Sequence, residues 1–290
     1  STLKKLGKCS GLALLAWTLF LPRQAVCDSI VVPNNYANLE GASNNALPFD
    51  IAAQSLASAR YEQVYDAGQF ASIPGGRYIT QILFRPDTGI HGSPFSSTPL
   101  FVYIVLSTTP MPVDGLNATF GNNIGPDAQT VYFGTLPLSS GFSGPANGPK
   151  AFDIVVNLTE PFFYNPAHGN LLMDVWNYTS GSTTYFDAVL GGPTSRAYSL
   201  TGVGASTGLT DGLGLVTRFT VTSPRLSYSS KPGSLILSWP TVLAGWQLQS
   251  APSPTGLWTA YTNSIQIQGA SNIAVIPTTS THQFFRLHYP

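Results

Sequence analysis

Four aromatic residues crowd around one short polar segment of the chain: Trp176, Tyr178, Tyr185 and Phe186 flank residues 179–184 (TSGSTT). A ring exposed at such a place can stack on the flat face of a sugar, and the neighbouring Asn177 amide could hydrogen-bond sugar hydroxyls. Trp176, Asn177, Tyr178 and Tyr185 are therefore the candidate binding residues. Strand alternation puts Trp176 and Tyr178 on one face, so both are inside or both outside. The apolar strand around them favours the inside, and an outward pair is the binding alternative.

Carboxylates are the next source of chemistry. Cleaving a glycosidic bond takes two of them, roughly 5–9 Å apart across the linkage. The glutamates Glu40, Glu62 and Glu160 are scattered singly. Asp153, Asp174 and Asp187 each sit inside a strand pattern among apolar neighbours. They are the carboxylates a hydrolase would draw on, although an outward or hydrogen-bonded structural position explains each of them as well. If two converged with a backbone carbonyl they would become weak candidates for calcium, which wants six or more oxygens. Gly204-Ala205-Ser206-Thr207-Gly208 matches the nucleophile-elbow pattern, but the following LTDGLGLV cannot build the helix that motif requires. His91, His168, His282 and His288 stand apart, with no partner at metal-ligand spacing. The residues thus predict no catalytic set, no metal centre and no cofactor.

The elements that must carry these side chains are strands. Residues 78–84 (YITQILF), 152–158 (FDIVVNL), 171–178 (LLMDVWNY), 185–190 (YFDAVL) and 215–221 (LVTRFTV) are apolar or alternating runs between Gly, Pro, Asn and Ser. Residues 100–106 (LFVYIVL) form an unbroken apolar run, which predicts a central strand covered on both faces. The only helical turn the pattern allows lies near residues 52–59. Thr222-Ser223-Pro224 reads as a linker, after which six or seven short strands follow in under 70 residues, with Trp239, Trp246 and Trp258 expected to fill a small core. The reading is all-β: a jelly-roll-like β-sandwich over residues 28–222, then a small immunoglobulin- or fibronectin-like β-sandwich over 223–290.

The N-terminus sets the compartment. Lys4, Lys5 and Lys8 precede an apolar run from Leu12 to Leu21, and Ala25-Val26-Cys27 resembles a cleavage site, so residues 1–27 read as a secretory signal. The run is shorter than the roughly 20 residues a membrane span takes. Removing it takes both cysteines, Cys9 and Cys27, and four of the thirteen basic groups. Nine basic side chains then face thirteen acidic ones, a net charge of −4. Neither thiol chemistry nor a basic footprint for nucleic acid survives. Charged residues are 9% of the chain against roughly 25% in ordinary soluble domains, so Ser, Thr, Asn, Gln and Gly must supply the solvent-facing polarity.

Two stretches carry a family resemblance. Residues 226–287, with Leu235–Pro240 (LILSWP), Trp246–Ser250 (WQLQS), Leu257–Thr259 (LWT) and Phe284–Leu287 (FFRL), resemble the fibronectin type III-like modules appended to secreted bacterial proteins. Residues 30–222 resemble the N-terminal domain of bacterial PEP-CTERM sorting-domain proteins of uncharacterised function. The matching stretches are Val31–Asn34, Arg60–Tyr65, Ile82–Asp87, Gly148–Ile154, Gly169–Val175 and Gly214–Phe219. The Pro-Glu-Pro tail, apolar helix and basic end of that class do not occur, so exosortase processing is not implied. The resemblances imply a secreted bacterial cell-surface or extracellular-matrix protein, extracellular or periplasmic, with no membrane span after signal removal. It is expected to act by binding, with polysaccharide or other surface proteins as partners and no nucleic acid. The rival readings are a carbohydrate-active hydrolase with an accessory module and a self-associating structural protein.

Overall fold

Short apolar runs broken by Gly and Pro leave the chain little but strands to form, and strands dominate. The computed structural model describes residues 28–89, 92–98, 100–243, 245–278 and 282–290. The expected signal with its two cysteines, and His91, lie outside the described residues. Among the described residues the helices are 3₁₀ turns of three or four residues, and none is long and apolar enough to cross a membrane. One of these turns, Ile51–Gln54, falls where the sequence allowed a helical turn.

Two antiparallel sheets face each other. The first runs β1 (Asp28–Val32), β15 (Thr217–Thr222), β4 (Arg77–Phe84), β9 (Ile154–Tyr164). The second runs β13 (Leu209–Asp211), β12 (Thr194–Tyr198), β3 (Ala59–Tyr65), β10 (Asn170–Asn177), β6 (Leu100–Thr109), β7 (Gln129–Leu136). Taking β1, β3, β4, β6, β7, β9, β10 and β15 in chain order, the sheets hold places 1-8-3-6 and 2-7-4-5. That is the jelly-roll arrangement. Between them lies the main core, with Ile79, Ile82, Phe84, Val156 and Phe219 from the first sheet and Tyr61, Tyr65, Val102, Ile104, Met173 and Val175 from the second. A third small sheet, β14 (Leu213–Leu215), β11 (Phe186–Leu190), β2 (Ser43–Asn45), and a two-stranded ribbon of β5 (Phe95–Ser96) with β8 (Ser139–Ser140) complete this part.

Residues 178–185 link β10 to β11, which belong to different sheets, and so do not form a hairpin. The segment instead crosses between sheets. The Thr183 amide donates to Asp50 Oδ1 at 3.1 Å and the Ala52 amide to the Gly181 carbonyl at 3.2 Å. A Cβ at Gly181 would lie 1.9 Å from Leu100 Cδ2, so any larger residue there would displace that buried side chain. The apolar run of β6, moreover, is not covered on both faces. Its inward residues Leu100, Val102, Ile104 and Leu106 fill the core, while Phe101 faces out and is 38% exposed.

The outer faces are covered unevenly. Over the six-stranded sheet, the β6–β7 connection lays Met111, Leu116, Phe120 and Ile124 on Val64, Leu172 and Ala197. Over the four-stranded sheet, Val31, Leu83, Phe152, Val189 and Val216 form one cluster, and Tyr78 and Phe163 meet the C-terminal strands. Those strands make two sheets of their own. One is β16 (Ser227–Lys231), β17 (Ser234–Pro240), β21 (Ser271–Pro277), β20 (Ile265–Gln268); the other is β19 (Thr259–Ala260), β18 (Gln247–Ala251), β22 (Phe284–His288). Their order places β16, β17, β21 and β20 as strands A, B, E and D of an immunoglobulin-like sandwich, with β18 and β22 as C and F. Trp239 is buried in this core as expected. Trp258 is not; it lies partly buried at the β18–β19 side under the Arg286 guanidinium, 4.5 Å from its ring. Trp246 joins the two parts: its indole N–H donates to the Gly75 carbonyl at 2.8 Å, Arg77 lies over its ring and Tyr289 packs beside it.

Candidate aromatic binding face

Strand β10 decides which way the candidate rings point. Leu171, Met173 and Val175 enter the main core, and Asn177 is the last inward residue, fully buried. Its Nδ2 donates to the Pro48 carbonyl at 3.0 Å, and its Oδ1 accepts from the Thr179 amide. Alternation then forces Trp176 and Tyr178 outward, against the expectation of a core position. Tyr178 is 40% exposed and Trp176 partly so. Asn177 therefore does not join them: it is a structural amide on the opposite face. Tyr185, beyond the crossover, lines a separate concavity of about 240 Å³ with Asn44, Arg196 and Tyr198.

Register brings three further rings to the outward pair. Trp176 lies opposite Tyr103, and Tyr103 opposite Phe133, so a row crosses β10, β6 and β7 with ring centroids 5.9 and 6.0 Å apart. Phe101 stands beside it, 5.3 Å from Phe133 and 5.8 Å from Tyr178. Trp176 and Tyr178 close the group at 6.5 Å. Phe133 is 62% exposed. The five rings form one contiguous apolar patch on an open sheet face, with the Thr130 and Thr135 side chains exposed among them. Phe101, Tyr103 and Phe133 were not among the sequence candidates. The signal was present in LFVYIVL and VYFG, where aromatics sit two apart in a strand, but nothing in those runs says which face is bare.

Beneath the wall formed by the β6–β7 connection lies a buried ionic cluster. Arg60 Nε and Nη2 donate to Asp174 Oδ1 and Oδ2 at 3.1 and 2.8 Å. The guanidinium is held between two rings, 4.3 Å from the Trp176 centroid and 4.6 Å from that of Phe120. The Trp176 indole N–H donates to Asp174 Oδ2 at 2.9 Å. Glu62, 0% exposed, accepts from Asn123 Nδ2 at 2.7 Å and lies 3.6 Å from Arg60. Burial and the nearby Asp174 charge push the Glu62 carboxyl up to about 8, and burial also raises Asp174. Asp174 collects three donors, which oppose the rise, whereas Glu62 has the single Asn123 donor and lies farther from Arg60, so burial weighs more heavily on Glu62.

The three watched aspartates do not meet one another. Asp153 accepts from the Gly141 amide at 2.9 Å. Asp174 belongs to Arg60. Asp187, fully buried, accepts from Arg85 Nε at 2.6 Å and the Gly41 amide at 2.8 Å, and burial raises its carboxyl to about 7. Asp187 does converge with Glu40 and Asp87, whose carboxylate oxygens lie within 4.8 Å of one another, so these are the residues that could hold a cation. Arg85 already puts a positive group there, and its Nη2 donates to the carbonyls of Tyr36 and Leu39. Calcium would have to compete for oxygens that a guanidinium holds. Ser206 of the elbow-like motif lies in the connection between β12 and β13, its carbonyl accepting from the Phe120 amide, and among the described residues no helix follows it.

Comparison with protein-family models, with curated proteins and with solved structures gave no match. The fold and face define the chain as an all-β sandwich protein with an aromatic outer sheet face.

Proposed function

We propose that this is a non-catalytic extracellular protein that binds polysaccharide through the outer face of β10, β6 and β7. One observation carries the reading: five rings, each in contact with two others and three of them more than a third exposed, stand on an open sheet face. Isolated exposed apolar residues need no explanation, but a contiguous patch does. Rings interleaved with hydroxyls suit sugars, whose C–H faces stack while their edges hydrogen-bond. Against hydrolysis, Asp174, which the Trp176 indole bonds, and its neighbour Glu62 are 2% and 0% exposed and face Arg60 rather than solvent. Secretion rests on the N-terminal lysines and apolar run. The test is retention of the purified chain on insoluble polysaccharides, compared with a Phe133→Ala/Tyr178→Ala variant. Retention of the parent and about a tenfold weaker hold by the variant, some 1.4 kcal/mol, is the expected result. A parent chain that passes through every matrix, or a variant that binds as well, would end this reading.

A further inference from the structure

The charge pattern around the rings says what kind of polysaccharide they take. β6, β7, residues 136–149 and residues 175–186 contain no Asp, Glu, Lys, Arg or His. Among the described residues, the charged groups touching the rings are Arg60 and Asp174, and these are buried and spent on each other at 2.8 Å. The exposed surroundings are the hydroxyls of Thr130 and Thr135, with Thr130 donating to the Tyr103 hydroxyl at 3.0 Å. A uronate or sulfate group brought to this face would lose water and gain no cation; an amino sugar would gain no carboxylate.

The shape adds a second constraint. The rings lie on an open sheet face and span three strands, so a single sugar would have most of its surface left in water, whereas a small-ligand site encloses its occupant. A chain laid across the strands meets several rings at once, and linked contacts multiply weak individual affinities. We infer that the site takes an uncharged polysaccharide, recognised as a polymer through stacking and hydroxyl contacts and without ion pairing. This inference rests on the binding reading above.

The experiment uses the full chain on two sets of matrices, neutral (cellulose, xylan, mannan) and anionic (alginate, polygalacturonate), each at low and high salt, with phosphatidylcholine vesicles as a further arm. Retention on at least one neutral matrix, unchanged by salt and not competed by the free monosaccharide, is expected, since unpaired surfaces have no counter-charge for salt to screen. Retention confined to anionic matrices and lost at high salt would overturn the inference while leaving polysaccharide binding in place. Sedimentation with vesicles but with no glycan would overturn both, as would retention on nothing. A Tyr103→Phe variant separates stacking from hydroxyl contacts. It keeps the ring and the fold, so a weaker hold on the neutral matrix supports the hydroxyl part and an unchanged hold removes it.

Discussion

At the residue scale, Glu62 is the group most at odds with its surroundings. A carboxyl whose folded value is raised from 4.5 to about 8 binds a proton that the unfolded chain has already released. Stability from this group is therefore fully present below about pH 4.5 and is lost as pH rises through about 8. A shift of this size corresponds to a few kcal/mol at roughly 1.4 kcal/mol per unit. Asp187, raised to about 7, contributes a loss of the same sign in a slightly lower window. Melting temperature followed from pH 4 to 9 should fall across this range, which reaches from below the unfolded value of Glu62 to above its folded one. Glu62→Gln, which keeps an acceptor for Asn123, should flatten the part of the fall nearest pH 8. Identical slopes for parent and variant would show that Glu62 titrates normally. Little of this was legible beforehand. Arg60 and Glu62 are two apart in a strand pattern, which places them on one face, but Asp174 lies 114 positions away from Arg60 and reaches it only through the β3–β10 register.

At the scale of elements, the strands were readable and their faces were not. Residues 77–84, 100–109 and 170–177 form strands close to where apolar runs between Gly and Pro placed them, because such runs satisfy their backbone groups only in sheets. The face assignment failed where both faces are apolar: Leu172, Trp176 and Tyr178 point one way, Met173 and Val175 the other, and hydrophobicity cannot separate them. What separates them is the covering of the far half of the sheet by the β6–β7 connection, a tertiary fact. The edge strand β20 poses a related problem. Ile265 and Ile267 pair with Ala274 and Asn272 on the core side of β21, yet both isoleucines are exposed. No charged side chain occurs from residue 232 to 281, so the edge lacks the lysines that usually block sheet-to-sheet pairing. Light scattering should therefore report association that grows with concentration, and Ile267→Lys should abolish it. A parent chain that stays monomeric throughout would show that the edge is shielded in another way.

At the scale of the whole molecule, the C-terminal sandwich borrows part of its core. Its buried residues Leu237, Trp239, Leu243, Leu248 and Ile276 are few, and Tyr78 and Phe163 from the first sheet pack against them, 5.2 Å apart. The Trp246 bond to Gly75 closes the junction. Trp246→Ala removes that bond and a partly buried ring, and should cost the C-terminal sandwich about 1–3 kcal/mol, below the 3–5 kcal/mol of a fully buried aromatic. Calorimetry should then resolve an early transition that the parent lacks; a single unshifted transition would mean the two parts are already independent.

That junction has a bearing on what can approach the rings. Tyr78 and Phe163 lie on the outer face of the four-stranded sheet, and the aromatic patch lies on the outer face of the six-stranded one. The C-terminal sandwich is thus carried behind the sheet that holds the patch. Whatever reaches the rings therefore meets the β6–β7 connection as its neighbour on that face, and the second sandwich lies on the opposite side.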